Sequence, residues 1–318
     1  MKKLIYLAFV LVTFASCSTA VVINEETPSV DTGVDCDSWA VIPAGEFYFN
    51  MHAVPVDLDY DYEMMITHVT NQQYADYLNE ALAKETITIT DSTVNGHHPG
   101  DPFDGYLHEW EIPAGDYLHM PFAKAGSHIK LVDGAFTVDK GFGNHPVVMV
   151  TWFGAKAYAD FYGYRLPTEK EWSKAARGTD KRAYPWGDHI YASLTNYGSS
   201  TNALQRLYGG NISRTTPVGY FNGNTYGDFE TEDNRSPYGL YDMGGNAWQW
   251  MGDDHPDVHY RYLRGGSFTN YEYNIFVWAR NSAGPDFYNI NMGFRCARDI
   301  VIEEEAVEET ETTEEVAE

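Results

Sequence analysis

YGLYDMGGNAWQW, at Tyr238–Trp250, is the central one of five short segments that follow one another in the C-terminal half of the chain. It joins the glycine pair Gly244-Gly245 to a tryptophan-rich run that ends at Trp250. The other segments are RLPTEKEW at Arg165–Trp172, YPWGD at Tyr184–Asp188, RGGSF at Arg264–Phe268 and MGFRC at Met292–Cys296. One segment alone could arise by chance, but all five in one sequence indicate a particular fold.

Together these segments resemble the formylglycine-generating enzyme family, whose sulfatase-modifying-factor domain is a large elaboration of the C-type-lectin fold. The resemblance extends upstream through VIPAGEF at Val41–Phe47, VTNQQY at Val69–Tyr74 and HPVVMVTWFGAKAYADFYGYRLPTE at His145–Glu169. It implies an α+β, irregular and loop-rich C-type-lectin-like fold with short strands and about three helices. We expect this domain to occupy residues 39–299.

The resemblance draws attention to two positions after the GGS turn. In enzymes of the family, two cysteines at these positions hold copper and oxidise a substrate cysteine. The matching residues here are Asn270 and Ile275, and no cysteine lies between Cys36 and Cys296. An amide and a hydrocarbon cannot form a thiolate, which is the group that binds soft metals. The sequence therefore predicts the scaffold without its reactive pair, and copper is not expected.

The composition of the chain excludes some classes of partner. Its 318 residues are 43% hydrophobic and 15% aromatic, enough for a sizeable core, and the formal net charge is −25. Because like charges repel, nucleic-acid backbones and anionic membrane surfaces are not expected partners. Part of the charge is local, since residues 300–318 carry nine glutamates and no basic residue. Such a segment buries too little apolar surface to offset its chain entropy, which predicts an acidic disordered tail.

Residues 1–17 have the pattern of an export signal. Two lysines precede the apolar run Leu4–Ala15, which is too short for a permanent membrane span. The run leads into FASC, which resembles a bacterial lipobox with Cys17 as the lipidated residue. We therefore predict an exported lipoprotein, held by acyl chains at a membrane of a bacterial cell envelope, with residues 18–38 as a polar tether. An ordinary secretory signal cleaved nearby is the alternative.

Cys36 and Cys296 remain to be assigned if Cys17 is lipidated. Family members often have a disulfide partner for the MGFRC cysteine on the helix that here holds Tyr158 and Ala159, and that helix has no cysteine. Cys36 immediately precedes the first expected strand, and C-type-lectin folds bring their first and last strands together. The resemblance therefore implies a Cys36–Cys296 disulfide, with two free buried thiols as the alternative.

Capping patterns and apolar spacing predict three helices and a hairpin. Capping boxes begin at Thr70 and at Thr168, each before residues with helical apolar spacing. Another helix is predicted over 152–162 and should end at Gly163. The sequence IKLVDGAFTV, at Ile129–Val138, predicts a hairpin.

Calcium is a candidate structural cofactor. Family members bind it partly through the segment that matches Gly245–Trp250. Asn246 is present at its place, but Gln249 replaces the usual acidic residue. Because calcium prefers anionic oxygen ligands, this loss should weaken the site, which leaves Asn246 and Gln249 as weak candidate ligands.

The segment Phe268–Asn291 has the composition of a recognition surface. Its five asparagines and seven aromatic residues combine rigid contact area with hydrogen bonding. It also resembles the variable region of retroelement-diversified ligand-binding proteins with the same fold. The candidate ligand-binding residues are Asn270, Tyr271, Tyr273, Asn274, Phe276, Trp278, Arg280, Asn281, Phe287, Tyr288 and Asn289. An ordinary irregular loop is the alternative, because asparagine is common in turns.

These observations favour a surface-tethered, non-catalytic member of the family that binds a peptide, a glycan or an envelope partner through Phe268–Asn291. A second hypothesis is a sulfatase-modifying or nonheme-iron-type oxidoreductase that uses residues other than the cysteine pair. A third is a structural lipoprotein of an envelope or gliding-type complex.

Overall fold

A computed structural model describes residues 29–101, 112–200, 214–254 and 260–300. The described residues form short strands and three helices connected by long loops, which confirms the predicted α+β class. The predicted export signal with Cys17, and tail residues 301–318, lie outside the described residues. None of the helices within the described ranges has both the length and the apolarity that a membrane crossing requires.

The helices are α1 (Asn71–Ala83), α2 (Trp152–Phe161) and α3 (Glu169–Arg177). Both predicted capping boxes are confirmed, because the hydroxyls of Thr70 and Thr168 each accept a backbone hydrogen bond at 3.2 Å. Helix α2 ends one residue before the predicted limit. Gly163 follows with φ = 72°, a conformation in which a Cβ would be strained.

The strands are β1 (Trp39–Ile42), β2 (Gly45–Phe49), β3 (Val54–Leu58), β4 (Tyr62–Met65), β5 (Ile87–Ile89), β6 (Val94–His98), β7 (Gly115–Met120), β8 (Ile129–Val132), β9 (Ala135–Val138), β10 (Thr225–Tyr226), β11 (Phe229–Glu230), β12 (Trp248–Asp254), β13 (Arg261–Arg264), β14 (Arg280–Ala283), β15 (Met292–Gly293) and β16 (Ala297–Asp299). Strands β8 and β9 form the predicted hairpin. Strands β1 and β16 both pair antiparallel with β4, so the first and last strands lie together.

A four-stranded sheet in the order β14-β13-β12-β15 brings the sequence segments together. Strand β12 starts at Trp248 within YGLYDMGGNAWQW, and β13 ends at Arg264 of RGGSF. Strand β15 starts the MGFRC segment at Met292. Because β12 is antiparallel to β13 and parallel to β15, the loop that leaves β13 and the loops that enter β12 and β15 lie at the same end of the sheet.

Aromatic side chains fill much of the core. In the larger cluster, Tyr74 of α1 stacks on Tyr158 of α2 with ring centroids 5.8 Å apart, and Phe294 meets both rings edge-on. A second cluster surrounds Trp172 of α3, which is fully buried. Large aromatic residues supply burial where strands are too short to do so.

The predicted Cys36–Cys296 disulfide is wrong, because both residues are free thiols in the structure. Cys296 is buried, whereas Cys36 lies in the turn before β1 with its Sγ 3.8 Å from Val34 O. Alignment of β1 and β16 on β4 therefore does not join the two sulfur atoms. Burial raises the pKa of Cys36 to about 11, which disfavours its reactive thiolate form.

Gly154, in the first turn of α2, packs closely on the neighbouring β7. A Cβ there would lie 2.5 Å from His119 O and 2.8 Å from the Tyr74 hydroxyl. Alanine usually stabilises a helix relative to glycine, but this contact should reverse the sign. We expect Gly154→Ala to lower the free energy of unfolding, measured by urea denaturation, by about 2 kcal/mol. The control is Gly115→Ala, because a Cβ on Gly115 would lie 3.9 Å from the Tyr117 ring, an ordinary van der Waals contact. Unchanged or increased stability of Gly154→Ala would contradict this account.

Candidate functional site

The turn in RGGSF positions the candidate site. Strand β13 ends at Arg264, and Gly265 and Gly266 then take φ = 92° and 71°. A Cβ on Gly266 would lie 2.5 Å from Ile275 Cδ1. Glycine is therefore required at this turn both for its backbone conformation and for its close approach to Ile275.

Ile275, at the position of the second family cysteine, is fully buried. Its side chain is 0% exposed and lies in an apolar cluster with Tyr184 and Tyr197. Phe276 and Trp186 pack against the same cluster. The residue at this position therefore fills space and presents no atom to a substrate.

Asn270, at the position of the first family cysteine, is hydrogen-bonded to Ser267 of the turn. Its Oδ1 accepts a hydrogen bond from Ser267 Oγ at 2.5 Å, and its carbonyl oxygen accepts one from Gly198 N at 2.6 Å. Asn291 Nδ2 donates to Ser267 Oγ at 3.1 Å and to Thr269 Oγ1 at 2.7 Å. Amide and hydroxyl groups thus form a neutral polar cluster beside the turn.

The copper of the family enzymes does not fit these donors. Soft thiolate ligands suit copper in a thiol-oxidising site. Asn270 instead supplies an amide oxygen that already accepts a hydrogen bond, and Ile275 supplies a buried hydrocarbon. These two residues support no copper-dependent step.

Tyr271 and Tyr273 form an exposed ledge beside the polar cluster, named here the tyrosine ledge. Each side chain is 59% exposed, and the two rings lie 6.1 Å apart at an interplanar angle of 28°. The ledge is held by the short 3-10 turn Glu272–Asn274, which ends directly before the buried Ile275. A buried anchor thereby fixes an exposed aromatic surface.

A second group of predicted residues surrounds Trp278. Its ring stacks on Phe276 with centroids 4.6 Å apart, and the Arg177 guanidinium lies 5.4 Å from the Trp278 ring. Arg280 is exposed and lies 3.6 Å from Glu169. Asn281 follows it on β14 and is also exposed.

The remaining predicted residues lie on the loop before β15. Phe287 is exposed, and the hydroxyl of Tyr288 accepts a hydrogen bond from the Lys124 ammonium. The carbonyl of Asn289 accepts a hydrogen bond from Met149 N at 3.0 Å. The candidate ligand residues therefore divide among three groups with different neighbours, and their role in binding stays a prediction.

A cavity of about 340 Å³, named here the Phe268 cavity, opens beside the turn. Its lining includes His128, Phe142, Val148, Arg214, Phe268 and Ile290. Phe268 and Ile290 belong to the segment that the sequence singled out. The other residues come from distant loops and were missed, because no local pattern marks residues that meet only in the folded chain.

The Phe268 cavity combines apolar walls with separate charged groups. The His128 ring stacks on Phe142 with centroids 3.5 Å apart, and its Nδ1 lies 3.3 Å from Asp139 Oδ2. Burial lowers the pKa of His128, more than Asp139 raises it, so the ring is neutral at neutral pH. Arg214 supplies a guanidinium 5.6 Å from the Phe142 ring. This mixture suits a ligand with an apolar group and hydrogen-bonding polar groups.

The candidate calcium ligand Asn246 is engaged inside the protein. Its Oδ1 accepts a hydrogen bond from Thr216 N at 2.9 Å, and its Nδ2 donates to Thr216 O at 3.1 Å. Asn196 Nδ2 donates to the same Oδ1 at 3.3 Å. The oxygen that a cation would need therefore already faces two donors.

The other candidate ligand, Gln249, accepts a hydrogen bond from a buried cationic side chain, that of Arg295. Its Oε1 accepts hydrogen bonds from Trp172 Nε1 at 2.8 Å and from Arg295 Nε at 2.7 Å. Burial lowers the pKa of Arg295 to about 9, which leaves the guanidinium charged at neutral pH. A guanidinium in this place repels a second cation, so Asn246 and Gln249 do not fit a calcium site.

Comparison with known proteins gives a family match over most of the chain. The family model of the sulfatase-modifying factor enzyme 1-like domain matches residues 25–300. The formylglycine-generating enzyme of Thermomonospora curvata is 31% identical over 269 residues, 73% of this chain and 80% of that protein. The inactive C-alpha-formylglycine-generating enzyme 2 of Bos taurus is 35% identical over 165 residues, 48% of this chain and 50% of that protein.

The chain also resembles one part of a much longer protein. The serine/threonine-protein kinase pkn1 of Chlamydia caviae is 33% identical over 193 residues, which are 55% of this chain and 27% of that protein. The chain thus spans about a quarter of that relative.

Solved structures share the fold. PvdO from Pseudomonas aeruginosa has a TM-score of 0.54 at 19% identity, with 87% of this chain and 99% of that chain covered. CarF has a TM-score of 0.52 at 21% identity, with 83% and 98% covered. At these identities the likeness concerns the fold alone.

Because Asn246 and Gln249 are engaged by protein donors, calcium should leave the melting temperature unchanged. A ligand that binds only the native state raises this temperature by mass action, so thermal unfolding in excess calcium and in chelator is a direct measurement. Magnesium controls for general ionic effects. A rise specific to calcium that the chelator reverses would contradict this expectation.

Proposed function

The chain belongs to the sulfatase-modifying factor family, and we propose that within this family it is a non-catalytic binding protein. The proposed ligand is a peptide, a glycan or an envelope partner that docks on the tyrosine ledge and in the Phe268 cavity. An acyl anchor on Cys17, where FASC resembles a lipobox, would hold this surface at a membrane of the cell envelope.

The burial of Ile275 carries the proposal. At 0% exposure inside an aromatic cluster, this side chain has no contact with solvent or with a docked thiol. Oxidation of a thiol at this site would need sulfur as a nucleophile or as a metal ligand. Neither Ile275 nor Asn270 supplies it, while the Gly265-Gly266 turn keeps its close packing.

Similarity to relatives supports the proposal without deciding it. The chain resembles proteins named as formylglycine-generating enzymes and also a bovine protein whose name describes it as inactive. The fold is therefore compatible with an active and with an inactive protein, and the side chains at the site determine which of the two applies.

Exposed apolar residues support binding at this surface. Among the described residues, eleven large hydrophobic side chains are exposed. Four of them, Tyr271, Tyr273, Phe287 and Ile290, lie within Phe268–Asn291. Exposed aromatic area next to a cavity is typical of recognition sites, and tyrosine gives contact area at low entropic cost.

Removal of the tyrosine ledge tests the proposal. Ligands would be selected for the purified full chain from a displayed peptide library and a glycan array, and affinities measured by titration calorimetry. We expect Tyr271→Ala/Tyr273→Ala to weaken binding at least about tenfold, because exposed aromatic anchors dominate binding free energy. The melting temperature should stay within error, since both side chains are exposed.

The matched control is Tyr60→Ala, which removes an exposed tyrosine outside this surface. It should leave the affinity unchanged. An equal loss in both variants would contradict the proposal, and so would a selection that yields no ligand for the wild-type chain.

A further inference from the structure

A separate cavity of about 340 Å³ lies between β1, α1 and the C-terminal end of α2. It shares no lining residue with the Phe268 cavity or the tyrosine ledge. Trp39 from β1 forms part of its wall, and we refer to it as the Trp39 cavity.

Aromatic rings form one side of this cavity. Trp39 and Tyr164 have ring centroids 4.8 Å apart, and Tyr164 and Tyr162 have centroids 6.0 Å apart. Tyr162 continues the series to Tyr158 at 5.1 Å. The faces of such rings attract cations through their quadrupole. Trp39 already makes this interaction within the protein, since the Arg298 guanidinium lies 4.3 Å from its ring.

The rim of the cavity carries carboxylates whose partners are neutral. Asp37 Oδ1 accepts a hydrogen bond from the Gln73 amide at 2.7 Å, and Glu80 Oε1 accepts one from the Tyr162 hydroxyl at 3.3 Å. Asp76 is exposed and stands four residues before Glu80 on α1, where like charges destabilise a helix. Neither lysine nor arginine is among the described residues that line the cavity. The residues that line the cavity therefore carry a net negative charge.

A largely buried tyrosine also forms part of the cavity wall. Tyr158 lines it and is only 4% exposed. Burial raises the pKa of Tyr158, and Cys296, Tyr162, Tyr164 and Asp37 raise it further, so the hydroxyl stays protonated at neutral pH. A tyrosine hydroxyl in the wall of a cavity can form a hydrogen bond with a polar ligand group that enters the cavity.

The shape of the site favours an organic cation over a metal ion. Over the described ranges, no group of three histidine, cysteine, aspartate or glutamate side chains is placed to hold a metal. The carboxylates lie around the opening of a cavity with aromatic walls, an arrangement that accommodates an alkylammonium group. We infer that the Trp39 cavity binds an alkylammonium cation, of the kind carried by a lysine side chain or by a choline headgroup. This inference does not depend on the proposed function of the tyrosine ledge.

Titration of the full chain at low ionic strength tests the inference. The probes are choline, N-acetyl-lysine amide and the uncharged choline isostere 3,3-dimethylbutan-1-ol, with binding followed by NMR. At least one cation should bind saturably and more weakly at high salt, and the alcohol should not bind. Binding of choline alone indicates a lipid headgroup as the source, and binding of the lysine amide alone indicates a protein or peptide. Either result supports the inference.

Variants locate the binding. Asp76→Asn/Glu80→Gln keeps the side-chain shapes but removes two rim charges, and should weaken cation binding about tenfold. The matched control Glu46→Gln/Asp59→Asn removes two exposed charges elsewhere and should change the affinity much less. Both variants should keep the wild-type melting temperature, because the substituted side chains are exposed.

Three results would overturn the inference. The first is the absence of saturable binding by either ammonium probe at low salt. The second is equal binding of choline and its uncharged isostere. The third is an affinity for the cation that Asp76→Asn/Glu80→Gln leaves unchanged.

Discussion

The rest of the fold depends on the hydrogen bonds that the buried guanidinium of Arg295 donates. It donates to Met65 O, Tyr241 O and Gln249 Oε1 at 3.0, 2.8 and 2.7 Å, and so joins β4, the loop before β12 and β12 itself. Gln249 pairs across the sheet with Arg264, the residue that leads into the glycine turn. Loss of a partner from a buried charge costs about 3–5 kcal/mol, so these connections hold the strands in one arrangement.

This arrangement sets the position of the Gly265-Gly266 turn by packing alone. Gly265 packs against Gln249 and Gly266 against Ile275, so the turn is located by close contacts at both glycines. The reactive positions of the family lie just beyond this turn, at residues that contribute packing and hydrogen bonds here. The amide and the hydrocarbon at these positions supply no sulfur for a thiol-based reaction, while the turn keeps its close packing. A rigid turn that supports exposed tyrosines is suited to recognition.

Local patterns predicted local structure well. The capping boxes at Thr70 and Thr168 and the hairpin at Ile129–Val138 were predictable because each depends on neighbouring residues. The disulfide prediction failed because adjacent strands do not determine where the sulfur atoms lie. The Phe268 cavity was missed because residues such as His128 and Arg214 join it only through long-range contacts. The engagement of Gln249 by Arg295 could not be predicted for the same reason, although both residues lie in recognised segments.

The most direct test of the central claim is an assay of the chemistry that the site should have lost. The purified full chain would be incubated with a peptide of the sulfatase-type sequence CxPxR, copper and oxygen, and the peptide followed by mass spectrometry. The formylglycine-generating enzyme of Thermomonospora curvata, similar over most of the chain, is the positive control. A peptide cysteine that stays intact is the predicted result. Catalytic conversion of that cysteine to the aldehyde would contradict the account, because Asn270 and Ile275 would then stand in a working oxidase.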